Sequence, residues 1–233
     1  MESAHEQQAV NFEEQHPFVN RRQAGEELAR ILEHLSGRTD VVVLALPRGG
    51  VPVGYEVARA LRAPLDVFLV RKLGLPGHPE LAMGAIASGG VRVLNADVVA
   101  WYRVPEVIID ETARAEQAEL ERRERVYREG RPAVEIGGRI VVLIDDGLAT
   151  GSTMKAAVQA VHAGAPSRVI VAVPVGAIDT CRGFQSIADE VVCARLPEHF
   201  SAVGQWYHDF SQTTDDEVRS LLHKRLEIVG RSH

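Results

Sequence analysis

The sequence is poor in cysteine, in aromatic residues and in long apolar runs. It has two cysteines, Cys181 and Cys193, in 233 residues, and neither stands near a histidine at a zinc-site spacing. We therefore expect two reduced thiols in a cytoplasmic protein, not a disulfide framework or a metal cluster. No apolar run approaches the roughly 18 residues of a membrane span, and the polar N-terminus does not resemble a signal peptide.

Positive charge is also scarce. The chain has 32 acidic residues against 26 lysines and arginines, for a net charge of −6, which disfavours a nucleic-acid groove. A protein of this charge that binds a polyanion must concentrate its cations locally or recruit a metal ion. The hydrophobic content of 45% and the length of 233 residues are ordinary for one globular α/β domain.

The most informative stretch is RIVVLIDDGLATGST, residues 139–153. Its apolar run, Ile140–Ile144, is typical of a buried strand in a parallel sheet. Two adjacent carboxylates, Asp145 and Asp146, follow the strand. After a glycine-containing turn the pattern becomes helical and stops near Gly164. The stretch therefore predicts a strand, a loop and a helix, with two acids at the carboxyl end of the strand.

This loop predicts a phosphate site, because free backbone N–H groups and the positive end of the helix dipole face it. Thr150, Ser152 and Thr153 add hydroxyl donors. The two carboxylates can accept hydrogen bonds from sugar hydroxyls, and either can interact with a divalent cation. A P-loop is disfavoured, because Gly147 and Gly151 have the wrong spacing and no lysine follows. The alternative is an ordinary strand-turn-helix connection that binds no ligand and whose two acids are solvated.

The stretch resembles the phosphoribosyl pyrophosphate (PRPP) binding motif of type I phosphoribosyltransferases, in which two acids follow an apolar strand and precede T-G-x-T. The resemblance covers about residues 18–222 and implies that Asp145 and Asp146 bind the ribose 2- and 3-hydroxyls. It also implies a loop around the 5-phosphate, formed by Ala149, Thr150, Gly151, Ser152 and Thr153. Some purine enzymes carry an acid where Ala149 stands, so any general acid or base here must come from elsewhere.

A second strand, residues 41–46, leads into Arg48, Gly49 and Gly50 and then a helical pattern over 53–61. Glycines let backbone N–H groups approach an anion, and an arginine offers a bidentate fork for phosphate. In the family this is the pyrophosphate loop, often with a cis peptide bond. The alternative is an ordinary glycine turn.

A third apolar run, residues 65–70, ends at Arg71 and Lys72 and is followed by a turn-rich loop over 75–79. The arrangement is similar to the strand end and mobile loop of adenine phosphoribosyltransferases. The similarity implies that Arg71 and Lys72 face the pyrophosphate and makes Glu80 the best-placed acid for proton transfer at the base. A solvated loop acid is the alternative for Glu80. The residues expected to take part in catalysis are Arg71, Glu80, Asp145 and Asp146.

The remaining elements surround this predicted site. An amphipathic helix over 18–36 opens with an asparagine cap and an arginine pair, Arg21 and Arg22, which we expect to be solvated. A hairpin should join 84–87 to 91–94. A long charged helix over 105–129 is expected to be solvent-exposed, with a dimer or lid element as the alternative.

The aromatic C-terminal region resembles the lobe that covers the base in this family, and a subgroup of predicted phosphoribosyltransferases of unassigned substrate. Trp206 and Tyr207 are candidates for stacking on a base, although packing is the stronger expectation. We predict a flexible lead-in over 1–17, one domain over 18–222 with its hood from about 195, and a tail over 223–233.

Strands alternate with helices, so we predict an α/β fold with a parallel twisted sheet flanked by helices, a small hood lobe and a hairpin and helix insertion. The resemblance implies a homodimeric, Mg²⁺-dependent transferase that moves ribose 5-phosphate from PRPP to a nitrogenous base. A PRPP- or nucleotide-sensing regulator of the same fold is the main alternative. The Arg71-Lys72 pair and the mobile loop favour the enzyme. A phosphohydrolase would need a base for water near Thr150, where Ala149 offers none.

Overall fold

The computed structural model describes residues 16–230, apart from the side chains of residues 79, 80 and 225–230. Its central sheet consists of β1 (Val41–Ala45), β2 (Leu65–Val67), β6 (Ile140–Ile144), β7 (Arg168–Val175) and β8 (Glu190–Arg195). The strand order is β2-β1-β6-β7-β8, and every neighbouring pair is parallel. The predicted fold class, a parallel sheet flanked by helices, is confirmed.

Helices cover both faces of this sheet, because alternate residues of each buried strand point to opposite sides. The helices are α1 (Arg21–Ile31), α2 (Gly50–Leu61), α3 (Ala96–Trp101), α4 (Glu106–Arg128), α5 (Ser152–Ala163), α6 (Ile178–Phe184) and α7 (Asp215–Gly230). Val41 and Val43 join a core with α1, α2, α4 and α7. Val42 and Leu44 join a second core with α5 and α6.

A second, three-stranded antiparallel sheet is inserted between β2 and α4. It consists of β3 (Val70–Leu75), β4 (His78–Ala87) and β5 (Val91–Leu94), and the pairing of β4 with β5 confirms the predicted hairpin. The single strand predicted over 65–70 is wrong. The chain bends between the sheets because Phe68 N–H still bonds to Ala45, whereas Leu69 N–H bonds to the Ser88 hydroxyl, 2.9 Å away in both cases.

The long helix α4 is only partly solvent-exposed, contrary to the sequence expectation. Four of its apolar side chains are buried against the core, namely Ile109, Ala113, Leu120 and Tyr127. Its last residue, Arg128, makes two hydrogen bonds of 3.0 Å to the buried carboxylate of Asp66 on β2. The opposite face carries the expected ion pairs, such as Arg122 with Glu119 at 2.7 Å. One face therefore anchors the helix and the other is charged.

Both chain ends contribute to a lobe beside the carboxyl edge of the main sheet. Phe18 N–H donates to Trp206 C=O, and His208 N–H donates to Phe18 C=O, both at 2.8 Å. A 3₁₀-helix (Val203–Trp206) lies in this lobe, and α7 extends past the predicted domain end at 222. Residues 1–15 of the predicted lead-in and 231–233 of the predicted tail lie outside the described residues.

The two cysteines are paired, so the expectation of free thiols is wrong for this structure. Cys181 on α6 and Cys193 on β8 form a disulfide, with Cα atoms 6.9 Å apart and a sequence separation of 12. The prediction considered the number of cysteines and not the return of the chain from α6 to the adjacent strand. No helix among residues 16–230 is long and apolar enough to cross a membrane.

Candidate active site

Two loops leave the main sheet side by side. β1 and β6 are paired in register from Val41 with Ile140 to Ala45 with Ile144, so the loops after both strands emerge at the same edge. In the strand order, the chain continues from β1 outward to β2 and from β6 in the opposite direction to β7. This is the topological switch point, where open α/β sheets bind their ligands.

The glycines of the first loop touch the acids of the second. A Cβ atom at Gly49 would overlap the Asp146 carboxylate, and one at Gly50 would lie 2.7 Å from Ile144 C=O and 2.9 Å from Asp145 Cα. The peptide bond between Pro47 and Arg48 is cis, a feature that the resemblance implies for this loop. The close approach of the two backbones therefore requires glycine at position 50, and a side chain at position 49 would displace the Asp146 carboxylate.

Asp145 and Asp146 differ in their surroundings. Asp145 Oδ1 accepts a hydrogen bond from the Asp146 N–H at 2.9 Å. Burial, reinforced by the Asp146 carboxylate, raises the pKa of Asp145 well above its usual 3.8. Burial also raises the pKa of Asp146, but the guanidinium of Arg21 opposes the shift. Arg21 Nε donates to Asp146 Oδ2 at 2.8 Å, so Asp146 is the carboxylate with a compensating cation.

Arg21 is a site residue that the sequence analysis missed. We expected the Arg21-Arg22 pair to be solvated, and for Arg21 that is wrong. Besides Asp146, its guanidinium contacts the Ser211 C=O at 2.7 Å and lies 4.0 Å from the centre of the Phe210 ring. The only signal in the sequence was the arginine pair itself, since 125 residues separate Arg21 from the acid that it contacts.

The predicted 5-phosphate loop lies at the start of α5 and is supported from behind by α6. Gly151 has a φ of +71°, and Thr180 Oγ1 donates to Ala149 C=O at 2.7 Å. A Cβ atom at Gly151 would meet both Thr180 and Phe184. The side chains of Thr150, Ser152 and Thr153 are exposed, beside the first helical turn with its free N–H groups.

Two cavities share Thr153 of this loop. The first, of about 110 Å³, is also lined by Arg48 and Arg71. The second, of about 400 Å³, is also lined by Lys72 and Ser152. Successive side chains of a strand point to opposite faces. The structure therefore brings Arg71 to Arg48 but places Lys72 at a different cavity.

The hood aromatics are mainly packed. Tyr207 is 5% exposed, its ring centre lies 5.5 Å from that of Phe18 and 5.1 Å from that of Phe210, and its hydroxyl donates to Asp146 C=O at 2.5 Å. Tyr207 is thus buried against two aromatic rings, an arrangement that favours the packing alternative. Trp206 is half-buried in the same cluster, and its Nε1 atom has no hydrogen-bond partner among the described residues.

Glu80 lies on β4, and its side chain is outside the described part of the structure. No group of three or more histidine, cysteine or acidic side chains that could hold a metal occurs among the described residues. At the switch point, the oxygen atoms that could coordinate a metal ion belong to the carboxylates of Asp145 and Asp146. Mg²⁺ commonly binds through one or two carboxylates together with substrate phosphates, so the site fits an ion that arrives with a phosphorylated substrate.

Comparisons with known proteins agree on one family. Residues 19–211 match the family model described as "Phosphoribosyl transferase domain". Rv0571c of Mycobacterium tuberculosis, named as a candidate phosphoribosyl transferase, is 52% identical over 205 residues, which cover 88% of this chain and 46% of that protein. The chain thus spans about half the length of this curated relative. The crystal structure of TT1426 from Thermus thermophilus matches with a TM-score of 0.80 and 43% identity over 89% of this chain and 98% of that one.

Proposed function

Because the chain belongs to the phosphoribosyl transferase family, we propose that it binds PRPP with Mg²⁺ and transfers the ribose 5-phosphate to a nitrogenous base, with release of pyrophosphate. This is the chemistry of nucleotide salvage. By the same resemblance, we propose a homodimer that acts in the cytoplasm.

The contact between Gly49 and the Asp146 carboxylate carries this proposal. In PRPP, C1 bears the pyrophosphate and is bonded to C2, which bears a hydroxyl group. A leaving-group loop must therefore touch the residues that bind the ribose hydroxyls. The two loops do touch, although 97 residues separate Gly49 from Asp146 in the sequence. The predicted 5-phosphate loop, residues 149–153, begins three residues after Asp146. It would hold the end of the sugar opposite to C1.

Each part of the site has one role in this proposal. Asp145 and Asp146 accept hydrogen bonds from the ribose 2- and 3-hydroxyls and fix the sugar. The loop over 149–153 holds the 5-phosphate at the start of α5. Arg48 and Arg71 stabilise the negative charge that develops on the pyrophosphate as its bond to C1 breaks. Removal of one such contact typically raises the barrier by about 2.7–4 kcal/mol.

The remaining roles rest on the resemblance. Glu80 is proposed to exchange a proton with the base, and Trp206 is the remaining aromatic candidate at the base. Bound Mg²⁺ would neutralise phosphate charge next to Asp145 and Asp146. The hood over the two loops would exclude water from a cationic sugar.

The experiment that tests the proposal is calorimetric titration with PRPP, with and without Mg²⁺, combined with assays of pyrophosphate release across purine and pyrimidine bases. The double variant D145N/D146N should remain folded and lose PRPP binding. Asp40 precedes β1 at the opposite edge of the sheet and pairs with Arg38, so D40N is the matched control and should bind normally.

The outcomes separate the candidate functions. Binding with release for one base would establish the transferase and identify its acceptor. Binding without release for any base would favour a PRPP sensor of the same fold. No binding by the wild type, or unchanged binding by the folded double variant, would contradict the assignment of Asp145 and Asp146.

A further inference from the structure

Helix α4 contributes to the cavity beside the predicted leaving-group loop. The cavity of about 110 Å³ is lined by three arginines, Arg48 from the loop, Arg71 from β3 and Arg123 from α4. Tyr127 of α4 and Thr153 of the 5-phosphate loop also line it. No other charged side chain among the described residues lines this cavity, so all of its charged lining is cationic.

The acids that balance these arginines stand outside the cavity lining. Each arginine has one such partner: Arg48 pairs with Asp215 at 3.8 Å, Arg71 with Glu116 at 2.6 Å and Arg123 with Glu119 at 2.8 Å. These pairs are partly exposed, so each contributes little to stability and can be exchanged for a stronger anion at low cost. The arrangement keeps three guanidinium groups at one small space without burying an unpaired charge.

Arg123 and its neighbour Arg122 provide an internal comparison. Both pair with Glu119, and together they lower the pKa of that carboxyl to about 2. Arg122 is 59% exposed and does not line the cavity, whereas Arg123 is 44% exposed and does. Arg123 also acts, with Arg48, to lower the pKa of Tyr127, although burial of that hydroxyl dominates and raises it to about 12. Arg123 therefore differs from Arg122 in its position, because it lines the cavity beside Tyr127.

We propose that Arg123 binds the pyrophosphate group of PRPP, as a third cation beside Arg48 and Arg71. This inference rests on the proposed function. When the bond from C1 to the pyrophosphate oxygen breaks, its electron pair stays on that oxygen. The acceptor nitrogen forms the new bond to C1 and loses its proton to solvent or to a base. A guanidinium at this position offers charge-assisted, bidentate hydrogen bonds to the departing group. The inserted helix α4 thereby supplies part of the leaving-group site.

The test is calorimetric titration of the full chain with inorganic pyrophosphate and Mg²⁺, and separately with ribose 5-phosphate. R123A should bind pyrophosphate at least about tenfold more weakly than the wild type, because it loses a charge-assisted contact. Its affinity for ribose 5-phosphate should stay within about twofold, as should both affinities of the control R122A. R123K should recover part of the lost affinity, since it restores charge but not the fork.

Each result bears on the inference. Equal pyrophosphate affinities for R123A and R122A would overturn the role of Arg123, while binding of both ligands by the wild type would leave the proposed function standing. A wild type that binds neither ligand would overturn both. Circular dichroism and thermal melting check folding, and R123Q, which keeps most of the side chain on the helix, decides the question if R123A is unfolded.

Discussion

The closest steric constraint in the candidate site is at Gly49. A methyl group there would occupy the position of the Asp146 carboxylate. We expect Gly49→Ala to displace that carboxylate and to weaken PRPP binding about ten- to hundredfold, the usual effect of losing a hydrogen bond to a charged group. Calorimetric titration with PRPP and Mg²⁺ measures the effect.

Gly183 provides the control for Gly49. It lies on α6, and a Cβ atom added to it would meet nothing within 4 Å. Gly183→Ala should therefore bind PRPP normally and be stabilised by up to about 1 kcal/mol through helix propensity. If Gly49→Ala bound PRPP as well as Gly183→Ala does, the contact between the two loops would be irrelevant to binding.

Asp145 should reduce the stability of the ligand-free protein at neutral pH. Its pKa is raised in the folded state by burial and by Asp146, so the folded protein binds more protons than the unfolded chain above pH 3.8. Stability of the wild type should therefore fall as pH rises from 3.8 towards the folded pKa. Asp145→Asn has no such loss, so its stability advantage should be absent in acid and grow with pH.

Urea unfolding at several pH values, with a chelator and without PRPP, measures this difference. Asp40→Asn is a control with the opposite pH dependence of stability. The hydrogen bond from Arg38 lowers the pKa of Asp40, so ionised Asp40 stabilises the folded state and Asp40→Asn should become less stable than the wild type as pH rises. An advantage of Asp145→Asn that is equally large in acid would mean that its cause is not the ionisation of Asp145. A stabilised variant without PRPP binding would show a cost in stability at a functional site.

Site residues could be predicted from the sequence where they lie within continuous stretches. Asp145, Asp146 and Gly49 each occur in a strand-loop-helix unit whose pattern is local. Arg21 and Arg123 reach the candidate site from helices elsewhere in the chain. A solvated arginine has the same local sequence pattern as a ligand-binding one. Their positions depend on tertiary packing, which a single sequence does not display.

At the scale of elements, the anchoring of α4 depends on a buried ion pair. Arg128 and Asp66 have side chains only 10% and 8% exposed, and Arg128 also donates to Val67 C=O at 3.0 Å. Asp66 accepts a further hydrogen bond from Val134 N–H at 3.0 Å. Arg128→Ala leaves this carboxylate buried without its cation and should lower the free energy of unfolding by about 3–5 kcal/mol.

Arg125 on the same helix is the matched control. It is 69% exposed and pairs with Glu121 only at 4.0 Å, so Arg125→Ala should change stability by no more than about 0.5 kcal/mol. Chemical denaturation of the two variants measures the difference. Equal losses would show that α4 is held by its apolar face alone.

The elements that sequence patterns predicted well are those with one periodicity and clear ends. The strand Ile140–Ile144 has the predicted bounds, and the hairpin of β4 and β5 forms around the predicted turn. The prediction of one strand over 65–70 failed because the run is apolar apart from Asp66 and has no turn residue. The bend within it depends on Ser88, 19 residues after Leu69. The solvent exposure of α4 was overestimated because the prediction relied on its many charged residues and did not consider its apolar side chains, four of which are buried.

At the scale of the whole molecule, Arg21 joins three distant parts of the chain. From α1, it contacts Asp146 in the central motif and Ser211 and Phe210 in the hood. The backbone of the hood is held separately, since His208 N–H and Asp209 N–H bond to the C=O groups of residues 18 and 19. Asp146, the proposed sugar-binding acid, and the hood therefore share one cation.

We expect Arg21→Ala to loosen the hood and to leave Asp146 without its cation. The amides of His208 and Asp209 should exchange hydrogen about ten- to hundredfold faster, which corresponds to the loss of a charge-assisted hydrogen bond. PRPP affinity should fall as well, because the lobe and the acid lose their common support. Hydrogen exchange followed by mass spectrometry or NMR measures the first effect, and calorimetry the second.

Arg22→Ala separates this coupling from a general effect on α1. Arg22 is the next residue, has a side chain that is 72% exposed, and among the described residues forms ion pairs only with Glu26 and Glu56. Its removal should leave both hood exchange and PRPP affinity unchanged. If the two variants exchanged alike, the hood would be held by its backbone and aromatic contacts alone. If only Arg21→Ala exchanged faster but bound PRPP normally, the hood would move independently of the sugar site.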